Sequence, residues 1–265
     1  MNEEKKAVVI AVSNQKGGVG KTSTVNAFAS GLTRKGLKVL VIDMDPQGNL
    51  SASVNADRSQ DALTTYEVLK EECPAADAIQ HMRCFDIIPA DLSLAVLDRD
   101  LFSDMLAAPY KLKNQIEPLR SIYDFIVIDT APSLSILTIN ALTAANEVLI
   151  PATAEFFATT GLEQLADTIN KVRKYGGNPG LKVDGILFTM HDPRTINGQA
   201  IKEATKAYAA SIGTTVFDTY IRKSVAMGES QTNRIDIYTF SPKSTVARDY
   251  AAFVDEYLKF VGRAE

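Results

Sequence analysis

Residues 13–24 read SNQKGGVGKTST, with two lysines flanking a run of glycines. The segment before it, Ala7 to Ser13, is apolar and rich in valine, as a buried strand is. After it, Thr22 to about Lys35 places Val25, Phe28, Ala29 and Leu32 on one helical face, and Gly36 supplies the stop. A strand that turns through Gly17, Gly18 and Gly20 into a helix aims successive backbone N–H groups inward, at the positive end of the helix dipole. That is an anion nest. There Lys21 reaches the β and γ phosphates of a nucleotide, and the Thr22 hydroxyl holds Mg2+. The pattern G-x-x-x-x-G-K-[ST] closes on Gly20-Lys21-Thr22, but its opening glycine is replaced by Gln15.

Lys16 is the unexplained residue, because Lys21 already serves the phosphates. From the residues alone it is either a solvated loop lysine or a cation aimed at a phosphate on a neighbouring subunit, as an arginine finger acts in trans.

The surrounding chain alternates short β-branched runs with helical stretches. Strands are expected at Ala7–Ser13, Lys38–Asp43, Phe85–Pro89, Phe125–Asp129, Glu147–Pro151 and Val183–Thr189, with a weaker one at Thr214–Phe217. Several are continuously apolar, so both sheet faces should be covered. Further helices are expected at Leu134–Ala145, Thr160–Tyr175, Asn197–Ser211 and Thr245–Val261. The implied fold is α/β, doubly wound, with a mostly parallel sheet and helices on both faces. Residues 1–265 are expected to form a single domain.

At 265 residues and 46% hydrophobic content the composition is that of a soluble globular protein. Trp is absent, which argues against an aromatic-lined groove. Cys73 and Cys84 share no metal spacing and, with no leader sequence evident, read as reduced cytoplasmic thiols. The two histidines, His81 and His191, read as satisfied or exposed side chains. Net charge is −4, but Arg194 to Arg248 carries eight Lys/Arg against four acids, leaving −8 on the remainder. This +4 segment is a polyanion-binding face or a chance asymmetry of surface charge.

Two later strands end in aspartate, KVLVIDMDPQGN and YDFIVIDTAPS. Carboxyl ends of parallel strands are where such sheets bind ligands, so Asp43, Asp45 and Asp129 are candidates to face the phosphates.

KGGVGKTS resembles the deviant Walker A box, K-G-G-x-G-K-[ST], of the ParA/MinD superfamily of P-loop ATPases. The resemblance implies that Lys16 is the lysine that contacts nucleotide across an ATP-dependent homodimer. It also implies that residues 16–23 (Lys16, Gly17, Gly18, Val19, Gly20, Lys21, Thr22 and Ser23) bind ATP. Asp129 then acts with Thr22 and Asp43 at Mg2+, and Asp45 orients the attacking water. DPQGN resembles the ParA partition branch, often called Soj-like, and EFFATTGLEQL and TMHDPRT continue the likeness along the chain. Glu155 is then a ribose contact, Met190, Ile221 and Arg222 are nucleotide contacts, and His191, within TMHDPRT, lines the nucleotide site. The segment IRKSVAMGESQ, residues 221–231, departs from the family's I-P-R-N-V-R-L-S-E-A-P: Arg222 stands at the proline, Lys223 at the first arginine and Ala226 at the second.

The implied activity is a Mg2+-dependent ATPase that binds double-stranded DNA nonspecifically and is stimulated by a ParB-like centromere-binding protein. Arg194, Arg222, Lys223 and Arg234 are the DNA candidates, chosen for charge and loop placement. The first strand begins near residue 7, which leaves no room for an N-terminal helix-turn-helix. A membrane-surface relative of MinD type would need a basic amphipathic C-terminal helix. Lys243 to Glu265 balances four basic against four acidic residues, so no membrane partner is expected. A metallo-redox relative would need cysteine where Thr130 and Ala131 stand. The remaining alternative is a nucleotide-gated DNA-binding regulator with little turnover, which the presence of Asp45 disfavours.

Overall fold

The structure, a computed structural model, describes residues 6–101, 106–153, 158–191 and 196–263. Its strands are β1 (Val8–Val12), β2 (Val39–Met44), β3 (Gln80–His81), β4 (Asp86–Ile88), β5 (Phe125–Thr130), β6 (Glu147–Thr153) and β7 (Lys182–Thr189). They form one sheet in the order β3-β4-β2-β5-β1-β6-β7. Every neighbouring pair is parallel except β3 with β4.

The α-helices are α1 (Lys21–Arg34), α2 (Asn49–Ser53), α3 (Thr65–Lys70), α4 (Leu94–Asp100), α5 (Lys111–Ile116) and α6 (Ile136–Ala144). They continue with α7 (Ala158–Tyr175), α8 (Ile196–Ser211), α9 (Val225–Thr232), α10 (Ile237–Phe240) and α11 (Thr245–Phe260). Strand residues alternate between two cores. Val9 and Ala11 join α3 through α8 on one face, while Ile10 and Val12 join α1, α2, α10 and α11 on the other. The chain is therefore doubly wound, as its continuous apolar strands require.

Strand β1 lies between β5 and β6, so the sheet order reverses around it. The carboxyl end of such a strand opens a crevice. The turn that leaves β1 is the glycine run. Helix α1 is held close to α11 at Gly31, where an added Cβ would stand 2.7 Å from both the Tyr238 hydroxyl and a Val254 methyl.

Two expectations change. Thr214–Phe217 makes only one bridge, Val216 with Ile186. The chain then turns away because the Glu256 carboxylate takes the Asp218 and Thr219 N–H groups at 2.7 and 2.9 Å. Helix α6 begins at Ile136, after Ser135 accepts the Leu137 N–H at 3.2 Å as its cap.

Candidate functional site

The phosphate-type loop adopts a backbone that glycine accepts readily and other residues rarely do. Gly18 and Gly20 have φ of 73° and 81°, the left-handed region that side chains disfavour. Gly20 caps α1 without a side chain, and the first turn of α1 carries no acidic residue. Its N–H groups and dipole are thus left for an anion. Three ties fix the loop to neighbouring strands. Asn14 donates to the Pro151 carbonyl at 2.8 Å and accepts the Lys16 N–H at 2.9 Å. Thr189 donates to the carbonyl of buried Val19 at 2.7 Å, and Thr130 donates to that of Val12 at 3.0 Å.

Lys21 is 7% exposed, with its ammonium 3.2 Å from the Lys16 carbonyl. Burial lowers its pKa, while Asp129 and then Asp45 pull it back up. Lys16 is half-buried at the outer turn.

The acids differ from one another. Asp43 is fully buried and accepts three hydrogen bonds: from the Asp45 N–H at 3.1 Å, the Ser51 N–H at 3.0 Å and the Ser51 hydroxyl at 2.7 Å. Burial pushes its pKa up to about 6, against the Ser51 bonds that lower it. Asp129 is also fully buried, but neither carboxylate oxygen has a hydrogen-bond partner. Burial, and then the Asp43 charge, hold it well above the ordinary carboxylate range; the nearby Thr22 hydroxyl and Lys21 pull it down. An unpartnered buried carboxylate is costly unless a cation joins it. Among the described residues no group of three or more His, Cys, Asp or Glu forms a metal cage. The Asp129 and Thr22 oxygens therefore suit Mg2+, an ion that keeps water and phosphate oxygens as its other ligands.

A cavity of about 720 Å3 opens over this loop. Gly17, Gly18, Gly20, Lys21, Thr22 and Ser23 form its floor. Asp45 and Gln47 stand on one side, where Asp45 accepts the Gln47 N–H at 3.0 Å and so shapes its own turn. Exposed Asn49 and neighbouring Ser53 extend that wall through α2. Met190, 40% exposed with φ 51°, joins from the end of β7. The last wall is α9, fixed by Gln231 donating to the Ser23 hydroxyl at 3.0 Å and continued by Thr232 and Arg234.

Other expected residues stand elsewhere. Glu155 and Arg194 lie outside the described residues. Ile221 is buried, its N–H bonded to Phe188 and its carbonyl to the His191 N–H, away from the cavity wall. Arg222 is not on that wall either. Its backbone N–H, Nε and Nη2 all donate to Asp249 at 3.0, 2.9 and 2.5 Å. Lys223 is exposed. Arg234, expected at a DNA surface, is instead a cavity residue. His191 is buried against Phe188 and Tyr220, so it does not line the nucleotide cavity as expected. His81 is exposed and bonded to Asp86 at 2.8 Å. Sequence reasoning missed Gln231 and Thr232. It quoted Gln47 and Asn49 inside DPQGN without giving them a place at the site.

Comparison with known proteins agrees with this geometry. The AAA domain family matches residues 7–183. The chromosome partitioning protein ParA of Caulobacter vibrioides is 35% identical over 254 residues, covering 94% of this chain and 93% of the relative. The sporulation initiation inhibitor protein Soj of Bacillus subtilis is 35% identical over 250 residues, covering 94% and 97%. A crystal structure of cobyrinic acid a,c-diamide synthase from Mycobacterium smegmatis, with bound ATP analog and magnesium, superposes with a TM-score of 0.82. It is 32% identical, covering 97% of this chain and 96% of that one. With a seven-stranded doubly wound sheet, a glycine loop at its switch point and relatives of this identity over nearly its whole length, the chain belongs to the ParA/MinD superfamily of P-loop ATPases, among its ParA- and Soj-like members.

Proposed function

We propose that this chain is a single-domain, Mg2+-dependent ATPase that acts as a DNA-partition switch. One observation carries the reading: a phosphate cradle and the Asp45 carboxylate line the same cavity, which is large enough for a nucleotide. The cradle N–H groups and Lys21 hold the β and γ phosphates and neutralise charge as the terminal phosphoryl group leaves. Thr22 and Asp129 would hold Mg2+, which when bound would supply positive charge to offset that of the phosphates. Asp43 supports this arrangement from below by fixing the loop that carries Asp45. Asp45 accepts a hydrogen bond from the attacking water and aims it in line.

Lys16 then acts on the nucleotide of a second copy, closing an ATP-dependent homodimer. The dimer binds double-stranded DNA without sequence preference, and a ParB-like partner stimulates hydrolysis and release. The ParA relatives, chromosome partitioning proteins by name, support this partition role. In the cell the switch is cytoplasmic and associated with the nucleoid. Among the described residues no helix is long and apolar enough to cross a membrane.

The test follows phosphate release and duplex retention with ATP, ADP and no nucleotide, with and without Mg2+. Slow Mg2+-dependent turnover and ATP-specific retention are expected. Equal DNA retention in all nucleotide states would rule out the switch.

A further inference from the structure

Gln231 Nε2 donates to the Ser23 hydroxyl at 3.0 Å, and both residues line the cavity. The bond joins the last turn of α9 to the first turn of α1, 208 residues away in the chain. A hydroxyl has one proton to give and two lone pairs with which to accept. Ser23 Oγ takes the Gln231 N–H on one lone pair, so its own proton must point elsewhere. Among the described residues nothing receives that proton. Ser23 stands in the first turn of a helix that begins without a side-chain cap or an acidic residue. A hydroxyl turned by an amide at that place has an anion as its natural acceptor.

Gln231 is itself held with some care. Helix α9 buries only Ser230, so packing does little to fix the helix. Side chains pin it instead. Beyond its last turn the Arg234 and Ile235 N–H groups return to the Gln231 and Ser230 carbonyls. Arg234 Nη1 then donates to Asn55 Oδ1, in the turn that leaves α2. The end of α9 is thus tied to α1 through Gln231 and to α2 through Arg234, with the cavity between them.

We infer that Gln231 is a positioning residue: by donating to Ser23 it turns the Ser23 hydroxyl proton into the cavity, toward a phosphate oxygen of the bound nucleotide. This rests on the ATP reading given above. Gln231 touches no nucleotide in this role, and the Arg234–Asn55 bond serves it by holding the turn that follows.

The experiment measures Mg2+-AMPPNP affinity for the native chain, Gln231→Leu, Gln231→Glu, Ser23→Ala and the double variant Gln231→Leu/Ser23→Ala. Leucine fills similar space without a donor. Ser23→Ala should weaken binding about tenfold, the loss of one hydrogen bond to a charged group. Gln231→Leu should weaken it about fivefold, because an unheld hydroxyl still meets the phosphate in some of its rotamers. Gln231→Glu should cost more than Gln231→Leu, since a carboxylate accepts the Ser23 proton and draws it out of the cavity. In the double variant the Gln231→Leu change should add less than about twofold to Ser23→Ala. A structural or direct contribution of Gln231 would persist without the Ser23 hydroxyl, so the cycle separates the roles. Unfolding curves of the nucleotide-free variants guard against loss through misfolding.

Native affinity in Gln231→Leu overturns the inference, as does native affinity in Gln231→Glu. An undiminished Gln231→Leu loss on the Ser23→Ala background overturns it as well. If the native chain binds no AMPPNP, the ATP reading falls with it; if it binds and the cycle is additive, this inference falls alone.

Discussion

Asp43 and Asp129 are register partners on adjacent parallel strands, yet Asp43 accepts three hydrogen bonds and Asp129 accepts none. Pairing puts both side chains on the same face at the carboxyl ends of β2 and β5. One acid is consumed in folding the Asp45 loop, and the other is left for a cation.

Substitution by the neutral isostere separates these roles. Asp43→Asn replaces an acceptor with an amide group that has no acceptor opposite it, and should cost about 1–3 kcal/mol by thermal or chemical unfolding. Asp129→Asn removes an unpartnered buried acid, so the nucleotide-free protein should be at least as stable as the native one. Its Mg2+-stimulated turnover should be lost. A large destabilisation by Asp129→Asn would mean that its carboxylate has a structural partner after all.

Lys16 and Asp45 should fail in opposite ways. Asp45→Ala keeps the cradle and should bind ATP without turning it over, leaving a persistent dimer in light scattering. Lys16→Ala keeps Lys21 and the glycine loop, so nucleotide still binds but the dimer does not last. If Lys16→Ala dimerises normally with ATP, the assignment of Lys16 to the partner's nucleotide is wrong. Lys21→Ala should abolish nucleotide binding altogether, since it removes the main cation of the cradle.

The fold and the cradle were legible because their signals are local. A valine-rich run, three glycines, Lys-Thr and an amphipathic helix are contiguous, and each element constrains the next. The α9 wall was not legible. Val225–Thr232 has little apolar periodicity, and Gln231 reaches Ser23 across 208 residues. Charge and loop placement put Arg222 and Arg234 in one class. Only the packing of α11 reveals that Asp249 faces the first, and only the turns after α2 and α9 bring Asn55 to the second. The weak strand at Thr214 failed for the same reason, because Glu256 of α11 competes for its continuation.

Below the sheet, at the opposite strand ends, the Tyr257 hydroxyl lies 2.8 Å from both Glu147 and Asp184. One hydroxyl proton cannot serve two carboxylates, so a second proton is shared there. Burial, then the Glu147 charge, raise Asp184 from 3.8 to about 8, while Tyr257 and Lys182 lower it. With the folded pKa above the unfolded one, the folded state holds the extra proton between those values. Its stabilisation is complete below the unfolded pKa and disappears as pH rises to about 8. Urea unfolding of the native chain should therefore show stability falling from about pH 5 to about pH 9, and Asp184→Asn should flatten the slope. Parallel native and variant profiles would remove Asp184 from this role.

The DNA prediction now rests on fewer residues than charge alone suggested. Arg222 is neutralised by Asp249, Arg234 faces the cavity, and Arg194 lies outside the described residues. Lys223 is the remaining candidate, exposed and adjacent to the Arg222–Asp249 pair. In the proposed dimer, two copies would present two such lysines together, and binding driven by counterion release falls steeply with salt. Lys223→Ala should weaken ATP-dependent duplex binding uniformly across sequences. It should also reduce the slope of log affinity against log salt by about one per lysine removed from contact. Arg222→Ala should change that slope little and instead lower stability, because Asp249, with its side chain only 10% exposed, loses its partner. Duplex titrations at three salt concentrations, paired with unfolding curves, read both effects. If Arg222→Ala lowers the salt slope while Lys223→Ala leaves it intact, the DNA surface lies on the Asp249 side of this segment, and the ion pair must open when DNA binds.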